Sequence, residues 1–184
     1  GDWHQAVHVW VLFQDSWELL LQRRALHKDS WPGMWDVSAA GHVSAGHHPT
    51  DTAVRELWEE LGLKLPREAF QPLFTYRQSF EGEFHGKKFL NNEFNHVYLV
   101  TFAGRLPDSA FRLQASEVAE VGCKPVEEVR AMAERGDEAC LAYLQGLHGK
   151  YKDFFRFLGE RRARVEAGGE MHGELRRGAV NMGE

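Results

Sequence analysis

Cysteine is scarce in this chain of 184 residues, which has only Cys123 and Cys140. Two scattered cysteines exclude the dense disulfide framework of a small secreted domain, and we expect both thiols to be buried. No apolar run approaches the roughly 20 residues that a membrane-spanning helix needs, and no segment has the pattern of a signal peptide. These absences predict a cytoplasmic protein, or an organellar one if a targeting segment was removed, with no membrane partner.

An excess of positive charge is also missing. Lysine and arginine total 22 against 27 aspartate and glutamate residues, so the formal net charge is −5. Such a chain lacks the general electrostatics of a nucleic-acid-binding protein, and an anionic substrate would need local cations or a metal. Apolar residues are plentiful, because 43% of the chain is hydrophobic and 12 Phe and 6 Trp add large apolar area. That composition suffices for one sizeable core.

Apolar runs and turn residues predict one α/β domain over 1–166 and a glycine-rich, charged tail or linker over 167–184. We expect a mobile loop over 81–88, where Gly82 and Gly86 stand. A mixed sheet packed between helices fits the irregular order of the elements. The predicted strands are 6–13, 16–22, 35–40, 72–80, 93–103 and 117–123, and the predicted helices are 52–61, one beginning at Pro125, 137–147 and 150–165.

Carboxylates are concentrated in one segment, residues 41–63, which reads GHVSAGHHPTDTAVRELWEELGL. If its second half is a helix capped by Thr50 or Asp51, Glu56, Glu59 and Glu60 share one face. Neighbouring like charges destabilise a helix unless they are neutralised, and Mg²⁺ or Mn²⁺ does so because both prefer carboxylate oxygens. The alternative is a solvated helix face, the usual explanation of a charge run.

The spacing in this segment resembles the Nudix box, G-x5-E-x7-R-E-U-x-E-E-x-G-U, in which U is apolar. The matching residues are Gly41, Arg55, Glu56, Leu57, Glu59, Glu60, Gly62 and Leu63. The resemblance implies a Nudix-type α/β/α sandwich with a mixed β-sheet, and a Mg²⁺- or Mn²⁺-dependent hydrolase that cleaves a diphosphate linked to another group. Such a hydrolase would take a small-molecule diphosphate as its partner.

The resemblance also implies a role for each matching polar residue. Glu56, Glu59 and Glu60 would bind the metal, Gly41 would offer its carbonyl, and Arg55 would orient the carboxylates. His47 stands where the pattern has glutamate. A neutral imidazole does not replace a carboxylate toward a hard cation, so we expect weaker metal binding or a slower reaction unless another carboxylate substitutes. The alternative is that His47 is an exposed loop residue.

Residues 22–42, QRRALHKDSWPGMWDVSAAGH, are similar to the isopentenyl-diphosphate-isomerase branch of Nudix proteins. This resemblance implies that Arg24 and Lys28 bind a diphosphate. It also matches His4 and His42 to metal-binding histidines, with His42 expected near the substrate, and it matches Glu93 to an acidic site residue.

Three further residues have two open interpretations each. Glu93 is predicted to be a metal ligand or the general base, with a surface carboxylate as the alternative. Trp31 and Trp35 are predicted to line the substrate pocket, with core packing as the alternative.

The sequence departs from that branch at residues that carry the isomerase chemistry. Ala40 stands where the isomerase has its cysteine, Asn91 stands at an acidic position, and no tryptophan follows Trp58. The sequence therefore resembles an isomerase-like Nudix hydrolase acting on a nucleoside diphosphate derivative or an isoprenoid diphosphate. A non-catalytic diphosphate-binding sensor is the alternative, and isopentenyl-diphosphate isomerisation is a third hypothesis.

The chain begins at Gly1 close to the first predicted strand. We expect it to be a piece of a longer chain. The resemblance implies a fusion to a downstream domain, since some plant relatives of this branch carry a zinc peptidase domain there. The sequence itself contains no HExxH motif.

Overall fold

The computed structural model describes residues 2–84, 87–136, 150–168 and 174–175. The predicted helix at 137–147 and most of the predicted tail lie outside the described residues. Two short 3₁₀ turns, Arg67–Ala69 and Asp108–Ala110, lie in the connections. The strands are β1 (Trp3–Phe13), β2 (Glu18–Arg24), β3 (Trp35–Asp36), β4 (Ala39–His42), β5 (Gln71–Phe84), β6 (Lys87–Phe102), β7 (Val118–Pro125) and β8 (Glu174–Leu175), and the helices are α1 (Pro49–Leu61), α2 (Val126–Arg135) and α3 (Lys150–Glu166).

Strand β1 is the centre of the sheet. It runs parallel to β6 and antiparallel to β2 and β4, and the main strand order is β3-β2-β1-β6-β5. Its residues are buried from Ala6 to Phe13, as expected for a strand covered on both faces. The predicted mixed sheet is confirmed.

Helices cover both faces of the sheet. On one face Val7, Val9 and Val11 share a core cluster with residues of α1. On the other face Trp10 and Leu12 share a cluster with residues of α2 and α3. The predicted α/β/α sandwich is therefore confirmed. None of the helices in the described residues combines the length and apolar character needed to cross a bilayer.

The predicted strand at 35–40 is two strands, because the chain changes partner in the middle. Strand β3 pairs with β2, whereas β4 pairs with β1. At the crossover Ser38 is fully buried. Its Oγ accepts from the Val11 N–H at 2.8 Å and donates to the Leu20 carbonyl at 2.6 Å. These two hydrogen bonds hold β1 and β2 together where the ladder changes partner.

The prediction of a loop over 81–88 is wrong. Strands β5 and β6 form one hairpin whose register continues to Phe84 opposite Lys87. Glycine at position 82 does not end the strand, because the long cross-strand ladder overrides its weak local preference.

The predicted cap of α1 is also wrong. The helix begins two residues before Asp51, with Pro49 at its start, and His48 is the N-cap whose Nδ1 accepts from the Thr50 N–H at 3.1 Å. Proline suits this position because the first helical N–H groups have no partner in the helix. The predicted end is confirmed: Gly62 adopts φ 77° and its N–H donates to the Trp58 carbonyl. Cys123, expected to be buried, is half-buried and makes no disulfide, and Cys140 lies outside the described residues.

Candidate active site

A cavity of about 620 Å³ opens beside the end of β1 and the face of α1. Its lining contains many carboxylates and few cations, so it is acidic. The acidic residues are Asp29, Asp36, Glu56, Glu59, Glu60, Glu93 and Glu117, and the basic ones are Arg24 and Lys28. An anionic ligand can enter such a cavity only together with additional positive charge.

Arg55 holds two of the helix glutamates at the surface side of the cavity. Its guanidinium donates to Glu56 at 2.7 Å and to Glu59 at 3.2 Å. The contact with Glu59 is an i,i+4 pair on one helix face, whereas Glu56 is the next residue in the chain. Arg55 thus pairs with both carboxylates, the contacts that its predicted orienting role requires.

The Glu60 carboxylate contacts strands of the sheet. Its Oε2 accepts from Gln22 Nε2 at 3.1 Å and from the Ala40 N–H at 3.2 Å. Glu60 is only 5% exposed. Burial raises its pKa to about 8, and the negative charges of Glu56 and Asp36 add to this rise. Without a nearby cation, the ionised form of this carboxyl is therefore disfavoured.

Gly41 brings the main chain of β4 against Glu56. A Cβ at position 41 would lie 2.3 Å from the Glu56 Cδ, well inside contact distance. Glycine is therefore required for the carboxylate to approach this strand. Burial also raises the pKa of Glu56, although Arg55 opposes the rise.

This donor set fits a hard divalent cation. Three carboxylates project from α1 toward the cavity beside the backbone of Gly41. Oxygen donors of this kind suit Mg²⁺ or Mn²⁺. Burial is the main cause of the raised pKa of Glu60, and the charges of Glu56 and Asp36 add to it, so a cation bound here would favour the ionised carboxylate.

A second group of metal-type ligands lies on the adjoining strands. The ligand atoms of His4, His42 and Glu93 all lie within 4.8 Å of one another. Glu93 Oε1 is 3.5 Å from His4 Nε2 and 3.3 Å from His42 Nε2. Among the residues that the structure describes, this is the trio that meets such a distance, so the three helix glutamates are more widely spaced.

Glu93 and His42 influence each other's protonation. Burial alone would raise the pKa of Glu93, but hydrogen bonds from His42 and Asn91 and the charges of His8 and His42 lower it to about 2. The hydrogen bond to Glu93 likewise raises the pKa of His42. Glu93 is therefore a stable carboxylate at neutral pH and a weak base.

The two predicted diphosphate-binding cations both line the cavity, and both have carboxylate partners. Arg24 contacts Asp36 at 3.3 Å and donates through Nε to the Ser30 carbonyl at 3.1 Å. Lys28 Nζ lies 2.5 Å from Glu117 Oε2. Burial raises the pKa of Asp36 to about 6 despite the opposing charge of Arg24.

The structure separates the two tryptophans that the sequence grouped together. Trp31 lines the cavity and packs edge to face on Phe80, with ring centroids 5.2 Å apart. Trp35 is not among the lining residues. It packs against the core on the α2 and α3 side and against Gly122, where a Cβ would lie 3.0 Å from the ring.

His47 is exposed and is not among the residues that line the cavity. Its backbone N–H donates to the Ser44 carbonyl at 3.0 Å. The loop-residue interpretation of His47 therefore describes its position.

Sequence reasoning missed several polar residues of the cavity: His8, Asp36, Gln78 and Glu117. Asp36 and His8 stand inside apolar strand segments, where an isolated polar residue is itself a signal of a special environment. Glu117 carries no such signal in the sequence. Folding brings it into contact with Lys28, and its charge then helps to raise the pKa of Glu56.

Comparisons with known proteins agree with this geometry. The family model described as NUDIX domain matches residues 2–144. Nudix hydrolase 3 of Arabidopsis thaliana is 48% identical over 157 residues, which are 85% of this chain and 20% of that protein. The chain thus spans about a fifth of this relative.

An isopentenyl-diphosphate Delta-isomerase of Shigella flexneri is 41% identical over 75 residues, 40% of this chain and 41% of the isomerase. The NUDIX domain of Shewanella oneidensis NrtR, solved with ADP ribose, has a TM-score of 0.56 at 17% identity and covers 90% of each chain. That likeness shows the fold alone. The family model and the fold agree, and the chain belongs to the NUDIX family.

Proposed function

We propose that this protein is a Mg²⁺- or Mn²⁺-dependent hydrolase that cleaves a diphosphate linkage in a small molecule. The observation that supports it most directly is the acidic cavity, whose two basic residues are already paired with Asp36 and Glu117. Its own cations are neutralised, so a diphosphate needs divalent metal to enter. The fold and family membership are consistent with this chemistry.

The helix carboxylates would hold the metal. Glu56, Glu59 and Glu60 would be its ligands, together with the carbonyl of Gly41. Glu117 is the carboxylate that we propose supplements them in place of the missing glutamate at position 47, because its charge already acts on Glu56. A bound divalent cation neutralises the phosphate oxygens as charge develops during the reaction.

Arg24 would bind the diphosphate through its fixed guanidinium. Its contacts with Asp36 and Ser30 hold the planar group at the cavity wall before a ligand arrives. Lys28 would act as a point charge shared between Glu117 and a phosphate oxygen.

In hydrolysis, a water oxygen forms the new bond to phosphorus while a bridging P–O bond breaks. The proton of that water needs an acceptor with a pKa near the working pH. Glu93, with its pKa lowered to about 2, is poorly suited and is better assigned to the group with His4 and His42.

The test is a substrate panel containing ADP-ribose, nucleoside diphosphate derivatives and isopentenyl diphosphate, with Mg²⁺, Mn²⁺ or EDTA. We expect metal-dependent product release that Glu60→Gln abolishes. Glu68→Gln, an exposed glutamate outside the cavity lining, is the matched control and should retain activity. Tight binding of a diphosphate with no turnover of any panel member would favour the sensor alternative instead.

A further inference from the structure

His8 is a cavity residue that the hydrolytic roles above do not use. It lies on β1, is 4% exposed and lines the cavity. In the sheet it pairs with Ala40, whose N–H donates to Glu60. It is also close enough to Glu93 for each charge to affect the other's pKa. His8 thus lines the same cavity as members of both groups of candidate metal ligands and lies near enough to Glu93 for their charges to interact.

Two phenols contact one nitrogen of this imidazole. Tyr151 Oη is 2.7 Å from His8 Nδ1, and Tyr76 Oη is 3.4 Å from the same atom. Tyr151 begins the buried part of α3 and packs on Trp10 and Phe154. A helix that lies 143 residues further along the chain thus contributes directly to the wall behind the cavity.

The short contact with Tyr151 bears on the tautomer of His8. Tyr76 donates its proton to Gln78 Oε1 at 3.4 Å. Tyr151 lies closest to Nδ1, and burial raises its pKa well above the usual range, so the phenol is protonated and able to donate across the 2.7 Å contact. A neutral imidazole that accepts at Nδ1 carries its own proton on Nε2.

The imidazole is neutral at physiological pH. Burial lowers the pKa of His8 to about 4, although Glu93 opposes the shift. A neutral donor adds no charge to this acidic cavity, whereas Arg24 and Lys28 are both paired with carboxylates there. It remains able to donate an N–H to an oxygen of a bound anion.

We propose that His8 is a substrate-binding residue whose Nε2–H donates to a diphosphate oxygen, and that Tyr151 is the positioning residue that fixes this tautomer. The proposal rests on the diphosphate substrate proposed above. It assigns a function to α3, whose Tyr151 phenol contacts the cavity residue His8.

The first test is spectroscopic and does not require turnover. Long-range ¹H–¹⁵N spectra of histidine-labelled protein at pH 7 should show His8 as the Nε2–H tautomer. Titration with methylenediphosphonate and Mg²⁺ should shift the Nε2 proton resonance. Tyr151→Phe should populate the Nδ1–H tautomer, whereas Tyr98→Phe, which removes a phenol bonded to Thr50, should not. An Nδ1–H tautomer in the unmodified protein, or no shift on saturation with the probe, overturns the proposal.

The second test is kinetic and uses two amide variants. The nitrogen of a glutamine side chain can occupy the Nε2 position, and that of asparagine the Nδ1 position. His8→Gln should stay within about threefold of the unmodified kcat/KM. His8→Asn should lose about 30-fold, equivalent to about 2 kcal/mol at 1.4 kcal/mol per tenfold.

Equal kcat/KM values for the two variants would contradict the assignment of the donor nitrogen. The kinetic and spectroscopic tests distinguish a failure of the proposed function from a failure of the His8 assignment. If no diphosphate in the panel is hydrolysed, the proposed function fails, whereas the methylenediphosphonate titration still decides the role of His8.

Discussion

Replacing Glu60 by glutamine is expected to stabilise the metal-free protein at neutral pH while removing its metal-dependent activity. Glu60 is 5% exposed, and burial raises its pKa from 4.5 to about 8. The unfolded chain ionises this group near pH 4.5, whereas the folded protein keeps the proton up to about pH 8. The protein is therefore most stable below pH 4.5 with respect to this group, and it loses that stability as the pH rises toward 8.

The magnitude follows from the interval between the unfolded pKa and the working pH. From pH 4.5 to pH 7 is 2.5 units, and at about 1.36 kcal/mol per unit the loss is about 3 kcal/mol. Glutamine carries no charge and keeps an acceptor oxygen for Gln22 Nε2 and the Ala40 N–H. Its NH₂ group must also find a partner, which offsets part of the gain, so we expect Glu60→Gln to gain about 1–3 kcal/mol.

The assay is urea unfolding in EDTA at pH 5 and pH 7.5, repeated with Mg²⁺. The variant should be more stable than the unmodified protein at pH 7.5, and the difference should nearly vanish at pH 5. Mg²⁺ should stabilise the unmodified protein and have little effect on the variant. A variant that is less stable at pH 7.5 without metal, or that gains as much from Mg²⁺, would refute the reasoning.

Three further predictions test other parts of the site. Gly41→Ala should lower Mn²⁺ affinity at least tenfold in calorimetry, since its Cβ would clash with the carboxyl at position 56, whereas Gly159→Ala, with open space around it, should not; equal affinities would contradict the clash. Glu117→Gln removes a cavity carboxylate and the ion pair of Lys28, so it should change both KM and the metal concentration needed for half-maximal rate; an unchanged metal requirement would contradict the proposal that Glu117 supplements the metal ligands. Trp31→Ala should raise KM with little loss of stability, whereas Trp35→Ala should destabilise the fold by about 2–4 kcal/mol and leave KM unchanged; the reverse pattern would contradict their placement.

Much of the site was predictable because its residues are close in sequence. Helical i,i+4 spacing puts Arg55 beside Glu59, and the glycine stop at position 62 is set by local backbone preference. The apolar run of β1 likewise predicts a strand that is covered on both faces.

What sequence reasoning could not supply depends on tertiary contacts. Trp31 and Trp35 were both predicted to line the pocket, yet Trp31 packs on Phe80 at the cavity and Trp35 packs against Gly122 and the core. The contact between Glu117 and Lys28 joins groups 89 residues apart, with no local signal for the pairing. The burial of the Glu60 carboxylate likewise depends on its contacts with Gln22 of β2 and the Ala40 N–H of β4, which are distant from α1 in sequence.

The length of the β5–β6 hairpin also could not be predicted from local sequence. Local glycine content at 82 predicted a loop, but cross-strand pairing with β6 continues through that position. Propensity is a weak guide where a long ladder supplies the competing interactions.

The rate of diphosphate cleavage as a function of Mg²⁺ concentration tests the central claim most directly, measured on the unmodified protein and on Glu56→Gln. We expect no cleavage in EDTA, a rise to saturation with Mg²⁺, and a shift of that rise to at least tenfold higher Mg²⁺ in the variant, because a ligand beside Gly41 is lost. Cleavage that continues in EDTA, or an identical Mg²⁺ dependence in both proteins, would contradict the account.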